Sequence, residues 1–289
     1  MNYVIVTDSA SDLPNEYAIK HNLTVLPLKF SFGEDYLDNT LDFKSMSPET
    51  FYQRLRDGEH AKTAQVNVEE FYQSFKKILE NDQDILAILI STNLSGTFNS
   101  ANIAKEQLKE EFPNRKIVLV NSISGSLGIG LLVDEAIRLK EEGKSLEENE
   151  AYLNTFKHHV MCIFTHEDLS HLQAGGRISK FSFWLGSALK IKPIISADDN
   201  GDLKPRNKVL GRKKSLKVLQ DRVVDLYDPT YSKKIFISHG DCIEETNKFV
   251  QELEERLNTN VDLVHMMGPV IGAHGGPGTI AVFFTTKER

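Results

Sequence analysis

Three times in the first half of the chain, a short apolar run gives way to serine, threonine or glycine and then to a helical pattern. The copies are YVIVTDSASDLPNEYAI, DILAILISTNLSGTFNSANIAKEQL and KIVLVNSISGSLGIGLLVDEAIRL. The apolar runs are continuous rather than alternating, which marks strands covered on both faces. The segments that follow place Ala101, Ala104 and Leu108, or Ile129, Leu132, Val133 and Ala136, at helical spacing. Strand alternating with helix is the pattern of a parallel α/β sheet. Each junction sets hydroxyls and free backbone N–H groups at the positive end of a helix dipole, on the carboxyl edge where open α/β sheets bind ligands. Asp8, Ser9 and Ser11 stand there in the first copy, Ser95, Gly96 and Thr97 in the second, and Ser122, Ser124, Gly125 and Ser126 in the third. Helix capping accounts for any one copy; three copies converging on one edge favour a ligand site.

Between the first two copies, LTVLPLKFSFGEDY reads as a strand with a turn at Gly33. Asn67 with Glu70 reads as a capping box that starts a helix near Val68 and leaves Thr63 in the preceding loop. A second capping box, Ser145 with Glu148, lies in the charged stretch EEGKSLEENEAYL. The division is placed there, with an N-terminal α/β domain over 1–150 and a C-terminal α/β domain over 151–289. Beyond it HVMCIFT reads as a strand, HEDLSHLQAGGRIS as a short helix stopped by Gly175 and Gly176, and KPIISADDNGDLKP as a strand pair turning at Asn200-Gly201. KIFISHG, VDLVHM and TIAVFF read as further strands, alternating with helices over 212–227 and 243–257.

At 289 residues the chain has room for two ordinary domains. Its 34 Lys+Arg against 41 Asp+Glu leave a net charge of −7, which excludes a nucleic-acid partner that needs a broadly basic surface. Cys162 and Cys242 alone suggest neither a disulfide framework nor a thiolate metal site, and the histidines show no H-E-x-x-H spacing, so no metal is assigned. With no leader pattern and no run of about 18 apolar residues, the expectation is a soluble, cytoplasmic protein.

None of the glycine-rich stretches is a nucleotide or hydrolase motif. GSLGIGLLV lacks the third glycine of a dinucleotide fingerprint, G-x-x-x-x-G-K-[ST] does not occur, and SGSLG lacks the glycine two before Ser126 that a nucleophile elbow needs. GPVIGAHGGPGT holds five glycines and two prolines around His274, a density that suits a backbone making close approaches with positive φ angles. Arg177, directly after a Gly-Gly helix stop, is either a surface ion pair or an anion donor on a rigid turn. Lys204, Arg206, Lys208, Arg212, Lys213, Lys214 and Lys217 form a basic run, read either as a solvated face or as a docking surface for an acidic partner or an anionic membrane.

TDSASDLP, KTAQ, STNLSGTFNSA, SISGSLGIG, LQAGGRIS, KPIIS followed by GDL, and GPVIGAHGGPGT occur in the order and spacing of the DegV family. Over nearly its whole length the chain resembles that family, the fatty-acid-binding proteins of bacterial fatty acid kinase. The resemblance implies a parallel-sheet N-terminal domain and a mixed α/β C-terminal domain that enclose one long-chain fatty acid in an apolar tunnel between them. It implies a carrier rather than an enzyme, with no cofactor. A separate kinase catalytic subunit would phosphorylate the bound acid from ATP, giving an acyl phosphate for phospholipid synthesis, with an anionic membrane surface as a transient partner. By motif position, Thr63 of KTAQ, Ser95 of LSGT and His274 of GAHGGPG would hold the carboxyl group, and Arg177 and Ser126 would lie at the phosphate or kinase end. Four positions depart from the family pattern: Ala64, Asn121, Gly275 and Leu210, the last standing where an arginine is common, with Arg206 or Arg212 as its substitute. The chemistry agrees, since a carboxylate drawn beneath a surface needs donors, and hydroxyls with helix-end amides supply them without burying a full cation.

The alternative is a lipid hydrolase or phosphotransferase using Ser95 or Ser126 with His274. It lacks an assignable carboxylate to orient the histidine.

Overall fold

The computed structural model describes residues 2–177 and 191–287; Ile178 and Ser179 of QAGGRIS lie outside the described residues. The first part of the chain runs β1 (Tyr3–Asp8), a 3-10 turn (Ser9–Ser11), α1 (Asn15–Lys20), β2 (Thr24–Leu26), β3 (Leu28–Ser31), β4 (Leu37–Asn39), α2 (Pro48–Arg56) and β5 (Lys62–Ala64). It continues with α3 (Val68–Leu79), β6 (Asp84–Leu89), α4 (Thr97–Glu111), β7 (Ile117–Asn121), α5 (Leu127–Glu141) and α6 (Leu146–Phe156). The continuous apolar runs form a parallel sheet of order β2-β1-β6-β7. The chain direction across the sheet reverses between β1 and β6, which makes their carboxyl ends a topological switch point.

LTVLPLKFSFGEDY is two strands rather than one. Pro27 between them has no N–H to give a ladder, so β2 joins the parallel sheet while β3 crosses to an antiparallel sheet of order β4-β3-β5. Thr63 therefore lies on β5, opposite Phe30, and not in a loop. Both expected capping boxes are formed, Asn67 with Glu70 and Ser145 with Glu148.

The remainder comprises β8 (Val160–Thr165), α7 (Ser170–Ala174), β9 (Ile194–Ala197), β10 (Leu203–Asn207), α8 (Arg212–Leu226), β11 (Phe236–His239), α9 (Ile243–Leu257), β12 (Leu263–Met266), α10 (Pro269–Gly275) and β13 (Ile280–Thr285). Its sheet is mixed, of order β10-β9-β8-β13-β11-β12, and the hairpin between β9 and β10 turns through Gly201 at φ +81. Alternate residues of the central strands serve two cores. Met161, Ile163, Val282 and Phe284 join Leu219 and Val223 of α8 with Phe249 and Leu253 of α9, while Cys162, Phe164, Ala281 and Phe283 face the other way.

On that inner side lies α5, with twelve of its fifteen residues buried. It touches β1 and β6 of the parallel sheet and β8, β11 and β13 of the mixed one. A helix covered all round needs an apolar sequence all round, and LGIGLLV supplies it; the buried Asp134 and Glu135 that follow are paired with Lys234 and Arg138. α6 packs on α5, β6 and β7, so a boundary at 150 passes through it; we propose the division at the turn 157–159 instead.

Candidate ligand site

A cavity of about 360 Å³ lies where the β4-β3-β5 sheet, the carboxyl ends of the parallel sheet and the mixed sheet meet, within the usual range for small-molecule sites. Its walls are largely apolar: Leu28 and Ile90 from the N-terminal half, Cys162, Phe164 and Phe283 from the C-terminal sheet, and Val270 from α10. Thr63, Ser95, Ser126, His166, Arg177 and His274 also line it.

Thr63 Oγ1 is 3.0 Å from His274 Nε2, a contact across 211 residues that joins β5 to α10. The start of α10 is held by Pro269 in its first turn, by Tyr52, whose hydroxyl donates to the Met267 carbonyl at 2.9 Å, and by Asp12 Oδ1, which accepts the Gly268 N–H at 2.9 Å. Burial, with a smaller contribution from Arg177, pushes the His274 pKa down to about 4, so the ring is neutral at pH 7. A Cβ on Gly175 would stand 2.0 Å from His274 Nδ1. The Gly-Gly stop thus does more than end α7, because its backbone is the wall behind the histidine. Gly276 and Gly278 take positive φ of +76 and +77, as the density of glycines led one to expect.

Arg177 is exposed; its Nε donates to the Leu94 carbonyl at 3.3 Å and its Nη1 to the Gly175 carbonyl at 2.5 Å. It ties the α7 end to the loop before α4. Ser95 in that loop accepts the Thr97 N–H at 3.3 Å and lies 2.9 Å from Thr97 Oγ1; the N-cap position of α4 is Gly96, without a side-chain cap, and Thr97 is its fully buried first residue. Ser95 and Gly96 also line the cavity, at the amino end of a helix of fifteen residues.

The first junction serves the fold. Asp8 accepts the N–H groups of Ala10 at 3.0 Å and Ile90 at 2.8 Å, and Ser9 Oγ accepts those of Leu28 at 2.9 Å and the Asn39 amide at 3.1 Å. All three of its candidate residues are buried, and the cavity is lined from the second and third junctions only. Ser126, at φ +54, turns its hydroxyl to Asp12 Oδ2 at 2.6 Å, with Ser238 Oγ at 2.9 Å. Burial raises Asp12 to about 8 against the opposing hydrogen bonds from Ser126 and Gly268, and raises Asp8 to about 7.

Arg206 and Arg212 do not line the cavity. Arg206 is exposed, with Nε donating to Ser196 Oγ at 2.7 Å. Arg212 is bound to Glu245 and, through Nη2, to the Gly278 carbonyl at 2.6 Å. His166, absent from the candidate set, enters the wall because it continues the alternation of Cys162 and Phe164; that periodicity was the available signal. Among the described residues no three His, Cys, Asp or Glu side chains are grouped to hold a metal, and no helix is long and apolar enough to cross a membrane.

Residues 2–287 match the model of a family described as uncharacterised protein, DegV family. The chain belongs to the DegV family. It is 38% identical over 293 residues to a DegV domain-containing protein of Clostridium perfringens, covering 99% of each chain. A DegV domain-containing protein of Lactococcus lactis is 33% identical, with 100% of this chain and 99% of the relative covered. The fold is that of solved DegV structures. A stearic-acid-binding protein from Eubacterium ventriosum superposes with a TM-score of 0.89 at 28% identity, covering 99% of this chain and 98% of that one. DegV from Bacillus subtilis, described as a fatty acid binding protein, gives 0.85 at 27% identity, covering 99% and 100%.

Proposed function

We propose that this DegV chain binds one long-chain fatty acid in the cavity between its sheets, carboxyl group toward Thr63, Ser95 and His274. The observation that carries the reading is the neutral His274 paired with Thr63 in a cavity whose walls are otherwise mostly apolar. When His274 Nε2 donates to Thr63 Oγ1, the threonine O–H is free to donate to a carboxylate oxygen. Ser95 and the amino end of α4 add donors, and Arg177 supplies a cation that stays exposed to water, so no full positive charge is buried. Each buried methylene contributes about 0.8 kcal/mol, giving a long chain on the order of 10 kcal/mol before association costs. Affinity comes from the chain and orientation from the polar end.

The finer role is that of a carrier without catalysis of its own, presenting the carboxylate to a separate kinase subunit that forms an acyl phosphate for phospholipid synthesis. Three features support it. Arg177 is both at the cavity and exposed. Lys213 and Lys214 are exposed in the first turn of α8, where cations oppose the helix dipole and so add nothing to its stability; an acidic partner would favour them there, and an anionic membrane would do so transiently. Leu210, 66% exposed, stands beside them. Arg206 is the better substitute for the arginine replaced there, since Arg212 is occupied in holding Gly278 and Glu245.

The hydrolase reading has less support, because His274 Nε2 faces Thr63 while Ser95 and Ser126 bond to Thr97 and Asp12. Equilibrium titration of the delipidated chain with hexadecanoic acid tests the binding role: saturation at one acid per chain is expected, and absence of saturable binding ends it. Hydroxylamine trapping of acyl phosphate tests the carrier role, with product expected only when chain, kinase and ATP are together.

A further inference from the structure

His166 is 2% exposed at the end of β8, its ring edge-on to Phe164 with centroids 4.9 Å apart. Its Nδ1 lies 2.8 Å from the Gly275 carbonyl and 2.7 Å from Thr279 Oγ1. The Thr279 hydroxyl spends its own proton on the same carbonyl, at 2.6 Å. Both neighbours are therefore acceptors, and Nδ1 must carry the ring hydrogen. Burial, opposed in part by the Gly275 bond and reinforced by Arg212 and His171, drives the ring pKa down to about 3, although Asp168 acts the other way. A neutral ring with its hydrogen on Nδ1 presents a bare lone pair at Nε2. That atom is buried with no hydrogen-bond partner among the described residues, while the side chain lines the cavity.

A lone pair takes an O–H or N–H. An alkyl chain offers neither, and a carboxylate has no proton to give, so Nε2 is matched to neither part of a plain fatty acid anion. We infer that His166 is a second polar contact in the cavity, accepting a ligand hydroxyl, and that the ligands extend to hydroxy fatty acids substituted close to the carboxyl group. This rests on the fatty-acid reading above. The position follows from the bond to Gly275, the residue after His274. A hydroxyl reaching His166 lies on one of the first carbons; further along β8 and β13 the wall is the paired Cys162 and Phe283.

The test is competition binding to the delipidated chain and to His166→Phe, using hexadecanoic, 3-hydroxyhexadecanoic and 16-hydroxyhexadecanoic acids. The ratio of Kd for the 3-hydroxy acid to Kd for the plain acid is expected to rise about tenfold in the variant, where the buried hydroxyl has lost its acceptor. His166→Gln, which keeps an acceptor, should restore part of it. Wild-type chain alone gives a second reading that needs no variant to fold: the 3-hydroxy acid should bind about tenfold tighter than the 16-hydroxy acid. Equal ratios in wild type and His166→Phe overturn the inference, as does a wild type that holds the two hydroxy acids alike. If wild type binds hexadecanoic acid in neither assay, the fatty-acid reading itself fails and the inference with it.

Discussion

Thr63→Val removes one hydroxyl and, with it, the 3.0 Å contact to His274 Nε2. Thr63 is half-buried on β5, and valine is as well suited to a strand, so the β3–β5 pairing is retained. For the ligand, what is lost is an O–H that is free to donate when His274 Nε2 is the donor of that contact. A hydrogen bond to a charged group is worth about 1.5–3 kcal/mol, so the Kd for hexadecanoic acid should rise roughly 10- to 150-fold. The buried chain still contributes on the order of 10 kcal/mol before association costs, so binding remains measurable. The ligand supplies the control. Methyl hexadecanoate keeps a carbonyl acceptor but no charge, and a neutral hydrogen bond is worth only about 0.5–1.5 kcal/mol. Competition titrations of both ligands against both proteins should therefore show the acid weakened several-fold more than the ester. An acid Kd that moves less than about twofold, or acid and ester weakened equally, refutes the assignment of Thr63 to the carboxyl group.

Gly175→Ala, at an ordinary φ of −72, should weaken fatty acid binding by displacing His274 from Thr63, whereas Gly176→Ala, at φ +70 with open space around its Cβ, should cost about 1–2 kcal/mol of stability and leave binding intact; binding curves beside thermal melts separate the two. Asp12 has its pKa raised by burial from 3.8 to about 8, so between those values the folded chain holds a proton that the unfolded chain has released, and stability falls as pH rises through that window. Asp12→Asn should flatten the fall by up to one proton, about 1.4 kcal/mol per pH unit, in urea midpoints read from pH 5 to 7. Lys213→Glu with Lys214→Glu should leave the fatty acid Kd unchanged and lower the rate of kinase-dependent acyl phosphate formation; parallel loss of both would count against a docking role.

The strand-to-helix grammar of the first half was legible because continuous apolar runs and capping boxes are local signals. The parallel sheet and Val68 as a helix start follow from them, and the turn at Asn200-Gly201 from its dipeptide. Thr63 reads as a loop residue because a three-residue strand has no alternation to read and its partner Phe30 is remote in sequence. Pro27 was visible, but that it sends β2 and β3 into different sheets is a tertiary choice. Asp8, Ser9 and Ser126 show the limit for the site. A hydroxyl at a junction looks the same in sequence whether it faces a ligand or, as Ser126 does, a buried carboxyl group 114 residues away. Gly175 and His166 gain their roles only from the long-range packing of α10.

The central claim is that this chain carries a fatty acid, and it is tested most directly by organic extraction of the purified protein followed by mass spectrometry. The account predicts close to one long-chain fatty acid per chain, reduced in Thr63→Ala with Ser95→Ala. A chain that yields no acyl ligand and takes up none when long-chain fatty acids are supplied would contradict it.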